Sequence, residues 1–83
     1  MPDLLRGQFG AHLQSLRRER GLTQEQFAEL IGVSVDFLSL IERGINAPSF
    51  EKLEQISGRL KIPVWQLFKF PDATRLNKGA VKR

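Results

Sequence analysis

The chain has 83 residues, 41% of them hydrophobic, with no cysteine, one histidine and a formal net charge of +4 at pH 7. This length holds one domain with one core; lack of cysteine excludes a disulfide framework and thiolate metal ligands, and a single histidine builds no zinc or catalytic cluster alone. No apolar run approaches the ~18 residues of a membrane span, and the N-terminus lacks a signal-peptide pattern, so the expectation is a cytoplasmic, cofactor-free protein held by packing.

The first predicted helix, about Leu4 to Arg20, sets Leu5, Phe9, Leu13 and Leu16 at steps of four, four and three, which is one apolar face. Gly7 and Gly10 each weaken a helix interior by up to about 1 kcal/mol relative to alanine, so the firm part is expected from Gln8. Gly21 then suits a C-terminal cap. Thr23 and Gln26 have the spacing of a capping box, which opens a second helix over 24–31 carrying Phe27, Ala28, Leu30 and Ile31. Gly32 can take the left-handed conformation of a tight turn, and Ser34 caps a third helix, about 35–43, with Leu38 and Ile41 on its inner face. After the loop Ile45-Asn46-Ala47-Pro48, Ser49 caps a fourth helix bearing Phe50, Leu53, Ile56 and Leu60. Pro63 suits the first position of a short fifth helix through Val64, Leu67 and Phe68, which Pro71 ends.

Two short helices joined by a turn that opens on glycine, with alanine in the first of them, form a helix-turn-helix. Ala28 lets the two helices cross closely, Gly32 turns the chain, and Phe27, Ile31, Val33, Leu38 and Ile41 face inward and fix the angle. An ordinary helical hairpin would not require all seven positions to agree.

The string Phe9-Gly10, Leu13, Leu16-Arg17, Arg20-Gly21-Leu22-Thr23-Gln24, Ala28, Gly32-Val33-Ser34, Ile41-Glu42-Arg43-Gly44, Pro48-Ser49, Leu53, Leu60 and Leu67-Phe68 resembles the phage-repressor (Cro/CI, XRE-type) helix-turn-helix family. The resemblance covers about Phe9 to Phe68. It implies an all-α, compact five-helix, lambda-repressor-like domain over residues 1–70 that binds double-stranded operator DNA as a homodimer and is not an enzyme. Residue by residue, it implies base reading by Ser34, Val35, Asp36, Ser39, Leu40 and Arg43, phosphate contacts at Gln24, Asn46 and Ser49, and a structural ion pair between Arg17 and Glu42. The face so assigned is unusual, because direct readout favours arginine, lysine, asparagine or glutamine, and this one offers only Arg43, at its end.

Val64, Trp65, Phe68 and Phe70 form an apolar cluster expected to be a dimer interface; the alternative is that Trp65 folds back to complete a small core. Arg75, Lys78, Lys82 and Arg83 against Asp72 give residues 71–83 a charge of +3, expected to be a basic, flexible tail. His12 reads as a boundary residue. Glu19, Glu25, Glu29, Glu51 and Glu54 read as solvated helix faces, and no nucleophile–base set appears. The leading expectation is a small homodimeric regulator without an effector domain, reading a pseudo-palindromic operator. The competing one is a protein-interaction module of the same fold, with the third helix and the Trp65 patch binding a protein partner and DNA binding weak or partner-assisted.

Overall fold

Four α-helices and one 3₁₀ turn follow one another along residues 5–70, the part of the chain that this computed structural model describes. The helices are α1 (Leu5–Glu19), α2 (Gln24–Ile31), α3 (Val35–Glu42) and α4 (Phe50–Leu60), and the 3₁₀ turn spans Val64–Phe68. No strand occurs among the described residues. The basic tail expected at 71–83 lies outside them.

Local chemistry sets the boundaries. The Thr23 hydroxyl accepts from the Gln26 amide at 3.1 Å while the Gln26 side chain accepts from the Thr23 amide at 2.9 Å, so both halves of the capping box are made. Ser34 and Ser49 open α3 and α4 by accepting from the amides of Phe37 at 3.0 Å and Lys52 at 3.1 Å. Helix α2 stops at Gly32, whose φ of 81° is open to glycine at little cost. Helix α4 stops at Lys61 in the same left-handed region, with φ 61°, a conformation that strains a side chain with a Cβ.

The architecture differs from five α-helices in its last element. Val64–Phe68 is a single 3₁₀ turn, with the Gln66 amide on the Pro63 carbonyl at 3.0 Å. Five residues after a proline are too few to establish a run of i→i−4 bonds, and the tighter i→i+3 pattern takes their place. It still buries Leu67 completely.

Helix α1 also departs from expectation, running unbroken through Gly7 and Gly10 rather than firming up at Gln8. Its close packing on α3 explains why. A Cβ on Gly10 would collide with the carbonyl oxygen of Ile41 and stand 3.1 Å from the Glu42 carbonyl carbon, both rigid backbone. The glycine weakens α1 intrinsically but lets two helix backbones touch, and the tertiary contact decides the outcome.

The core lies where the helices converge. Leu13 from α1, Phe27 and Ile31 from α2, Leu38 and Ile41 from α3, Ile56 from α4 and Leu67 from the 3₁₀ turn are almost fully buried in one cluster. Helix α3 is held between α1 and α2, and α2 also packs on α4. Gly10→Ala is expected to lower stability by about 1–3 kcal/mol through overpacking. Gly58→Ala, in an α4 position with open space beyond the Cβ, should raise it by about 0.5–1 kcal/mol. Thermal unfolding of both variants checks the opposite signs, each kcal/mol moving the midpoint by about 4–8 °C in a domain of this size.

Candidate nucleic-acid interface

Beneath α3 lies a buried carboxylate. Glu42, the last residue of α3, has a side chain only 1% exposed and meets the guanidinium of Arg17 from α1, with Nε donating to Oε2 at 2.8 Å and Nη2 to Oε1 at 3.1 Å. Gln24, the first residue of α2, donates to Oε1 at 2.9 Å, and Gln14 of α1 donates to the same oxygen at 3.4 Å. Arg17 uses its remaining nitrogen on the Leu22 carbonyl at 3.0 Å. One anion thus gathers α1, the α1–α2 connection, α2 and α3.

Burial alone would push the Glu42 carboxyl up; the hydrogen bonds from Arg17, Gln24 and Gln14, with the guanidinium charge, outweigh it and hold the group below its ordinary range. Arg17 is correspondingly held above its own, chiefly by its hydrogen bonds to Glu42.

The turn of the helix-turn-helix is held by α4. Gln55 donates to the carbonyls of Ile31 at 2.8 Å and Gly32 at 3.0 Å, and Arg59 donates to that of Leu30 at 3.2 Å. These are carbonyls that the end of α2 leaves without intrahelical partners, and the Arg59 cation also suits the negative end of the helix dipole. Sequence reading missed this clamp. Its only trace is a glutamine and an arginine four apart on α4, because the acceptors are main-chain oxygens that no residue type announces.

With its back and both ends fixed, α3 presents a defined outer surface. Asp36 and Arg43 are exposed, with Ser39 and Leu40 half-exposed between them, so positions 36, 39, 40 and 43 form one stripe at helical spacing. Ser34 is exposed, and its hydroxyl caps the helix. Val35 is only partly available, since its side chain packs against the core. At the flanks, Gln24 is half-buried on Glu42 at the start of α2, while Asn46 and Ser49 are exposed before α4.

The apolar cluster at the C-terminal end divides in two. Trp65 is 61% exposed and Val64 38%, so Trp65 does not complete the core. Phe70 is buried, edge-on to His12 with ring centres 5.5 Å apart, and Phe68 packs against Phe9 at 5.1 Å. His12 ties the 3₁₀ turn to α1 through the Gln66 carbonyl at 2.9 Å. Phe68 also borders an apolar groove of about 170 Å³ between the starts of α1 and α4, rimmed by Leu5 and by Phe50, which is 83% exposed.

The family model described as helix-turn-helix matches residues 13–64. The chain belongs to the XRE-type helix-turn-helix family. This XRE-type chain is 42% identical over 55 residues to the immunity repressor protein of Bacillus phage phi105, covering 66% of this chain and 38% of that one. It is 35% identical over 66 residues to the transcriptional regulator SinR of Bacillus licheniformis, covering 78% and 60%. With YazB, an uncharacterized HTH-type transcriptional regulator of Bacillus subtilis, it shares 36% over 59 residues, covering 71% and 86%. It therefore spans about two fifths of the repressor's length and three fifths of SinR's, but most of YazB's.

Among solved structures, the clp gene regulator ClgR from C. glutamicum superposes with a TM-score of 0.69 at 37% identity, covering 78% of this chain and 84% of that one. The restriction-modification controller protein C.AhdI from Aeromonas hydrophila gives 0.67 at 32%, covering 78% and 91%. The family is one of DNA-binding transcriptional regulators rather than enzymes. Among the described residues no helix is long and apolar enough to cross a membrane, and no cluster of metal-ligating side chains occurs.

Removing the Glu42 carboxylate is expected to cost the XRE-type fold heavily. Glu42→Ala leaves the half-buried Arg17 without its counter-charge and should cost up to about 3–5 kcal/mol, against a total for a chain of this size of about 4–12 kcal/mol. Because folding lowers the Glu42 pKa, its contribution is complete above the unfolded value of about 4.3 and is lost as pH falls through the folded value. Urea unfolding between about pH 2 and 7 should show Glu42→Gln with a weaker acid-side decline than the parent; an identical decline would mean that other carboxyls carry it.

Proposed function

We propose that this protein is a sequence-specific transcriptional regulator that acts as a homodimer, each α3 entering the major groove at one half of a pseudo-palindromic operator. The observation that carries the reading is the stripe at 36, 39, 40 and 43, open to solvent on a helix fixed from behind by Glu42 and the core. Ser34, Val35, Asp36, Ser39, Leu40 and Arg43 are the base-reading set. Gln24, Asn46 and Ser49 contact phosphates, Gln24 and Ser49 beside the free amides of α2 and α4. The second copy docks through Val64 and Trp65, with Phe68 and the groove beside Phe50 continuing that surface. Two-fold symmetry then sets the recognition helices about 34 Å apart, one turn of DNA. Relatives named as a repressor and as transcriptional regulators favour this reading over a protein-interaction module with weak or partner-assisted DNA binding.

Selection of bound duplexes from a random pool tests the proposal. A pseudo-palindromic motif should emerge, bound at least ~10³ more tightly than bulk DNA, with affinity falling log-linearly with salt at about 0.9 per phosphate neutralised. Failure to enrich any sequence contradicts it. Arg43→Ala should weaken DNA binding and leave the circular-dichroism melt intact, since Arg43 is exposed beyond the end of α3. Trp65→Ala should shift the protein toward monomer in sedimentation; an unchanged dimer mass would remove Trp65 from the interface.

A further inference from the structure

From the outer face of α3 we infer that Asp36 is a specificity-determining residue of the interface, selecting a cytosine in each half-site through its exocyclic amino group. The inference rests on the DNA-reading assignment of that face. Asp36 lies in the first turn of α3, exposed, and makes no hydrogen bond or ion pair among the described residues. In a helix-turn-helix, that end of the recognition helix meets the base edges.

The chemistry around Asp36 is restrictive. A carboxylate is negatively charged, so phosphates repel it, and it has only acceptors, so in the groove a donor must meet it. Guanine presents N7 and O6 there and thymine presents O4, all acceptors; adenine sets its N7 acceptor beside the N6 donor; cytosine presents its N4 amino group. Asp36 therefore rejects guanine and thymine, and adenine is compromised by N7. Its neighbours on the face do not select cytosine: Arg43, which carries donors only, favours the guanine acceptors N7 and O6 instead. Val35 and Leu40 carry no polar side-chain atom, and the Ser39 hydroxyl, both donor and acceptor, accommodates any base. Asp36 also suits the positive end of the α3 dipole, a structural role that carries no base preference.

The test is parallel selection from one random duplex pool with the parent protein and with Asp36→Asn, which keeps the size of the side chain and adds a donor. The parent motif should hold a cytosine in each half-site whose replacement lowers affinity by about 5- to 150-fold. Asparagine pairs with adenine through N6 and N7, so the variant motif should change at that one position from cytosine to adenine and match the parent elsewhere. A circular-dichroism melt confirms that both proteins are folded. A parent motif without that cytosine, or one unchanged in the variant, overturns the role of Asp36 and leaves the DNA-reading assignment standing. Enrichment of no sequence by the parent overturns both.

Discussion

The carboxylate of Glu42 is the constraint on which the arrangement of the helices depends. Taking it out of water is unfavourable, and the structure tolerates it because Arg17, Gln24 and Gln14 converge on its two oxygens. Apolar burial brings the helices together but does not discriminate among small rotations about their axes. A bidentate guanidinium–carboxylate pair does, because its two bonds must lie in one plane. The pair therefore sets the rotation of α3 about its own axis, and that rotation decides which side chains face solvent. With Glu42 turned inward on α1 and α2, the side chains at 36, 39, 40 and 43 are turned outward.

A second constraint acts through the main chain. The absence of a Cβ at Gly10 lets α1 lie against the backbone of Ile41 and Glu42, placing Arg17 two turns further along within reach of the carboxylate. Where α2 ends, Gln55 and Arg59 fasten α4 to its last carbonyls, so the turn at Gly32 is held from outside as well as by its own geometry. The helix-turn-helix is thus held at its two ends through Glu42 and at its turn by α4, and its outer face is what remains free to bind.

The inward half of this design is legible in the sequence because it is written in residue types with narrow uses. Thr23 and Gln26, Gly32, Ser34 and Ser49 announce helix boundaries, and the spacing of Phe27, Ile31, Leu38 and Ile41 identifies the buried faces. What was not legible depends on backbone proximity. Gly10 reads as a weak point in α1 until Ile41 is seen against it, and the partners of Gln55 and Arg59 are carbonyls with no residue signature. Trp65 was ambiguous between core and surface because an apolar cluster shows no direction; the 3₁₀ turn resolves it by pointing Leu67 inward and leaving Trp65 exposed. Phe70, counted with the same patch, serves the core beside His12.

Resolved backbone-amide chemical shifts during titration with a selected operator duplex test most directly the claim that the outer face of α3 meets DNA. The account predicts the largest changes at residues 34–40, with a second set at 24–26 and 49–51 where α2 and α4 begin, and little change at the α4 end around Arg59. Undisturbed α3 amides in a saturated complex would contradict it, because a helix fixed in this way cannot lie in the groove and keep its amide environment.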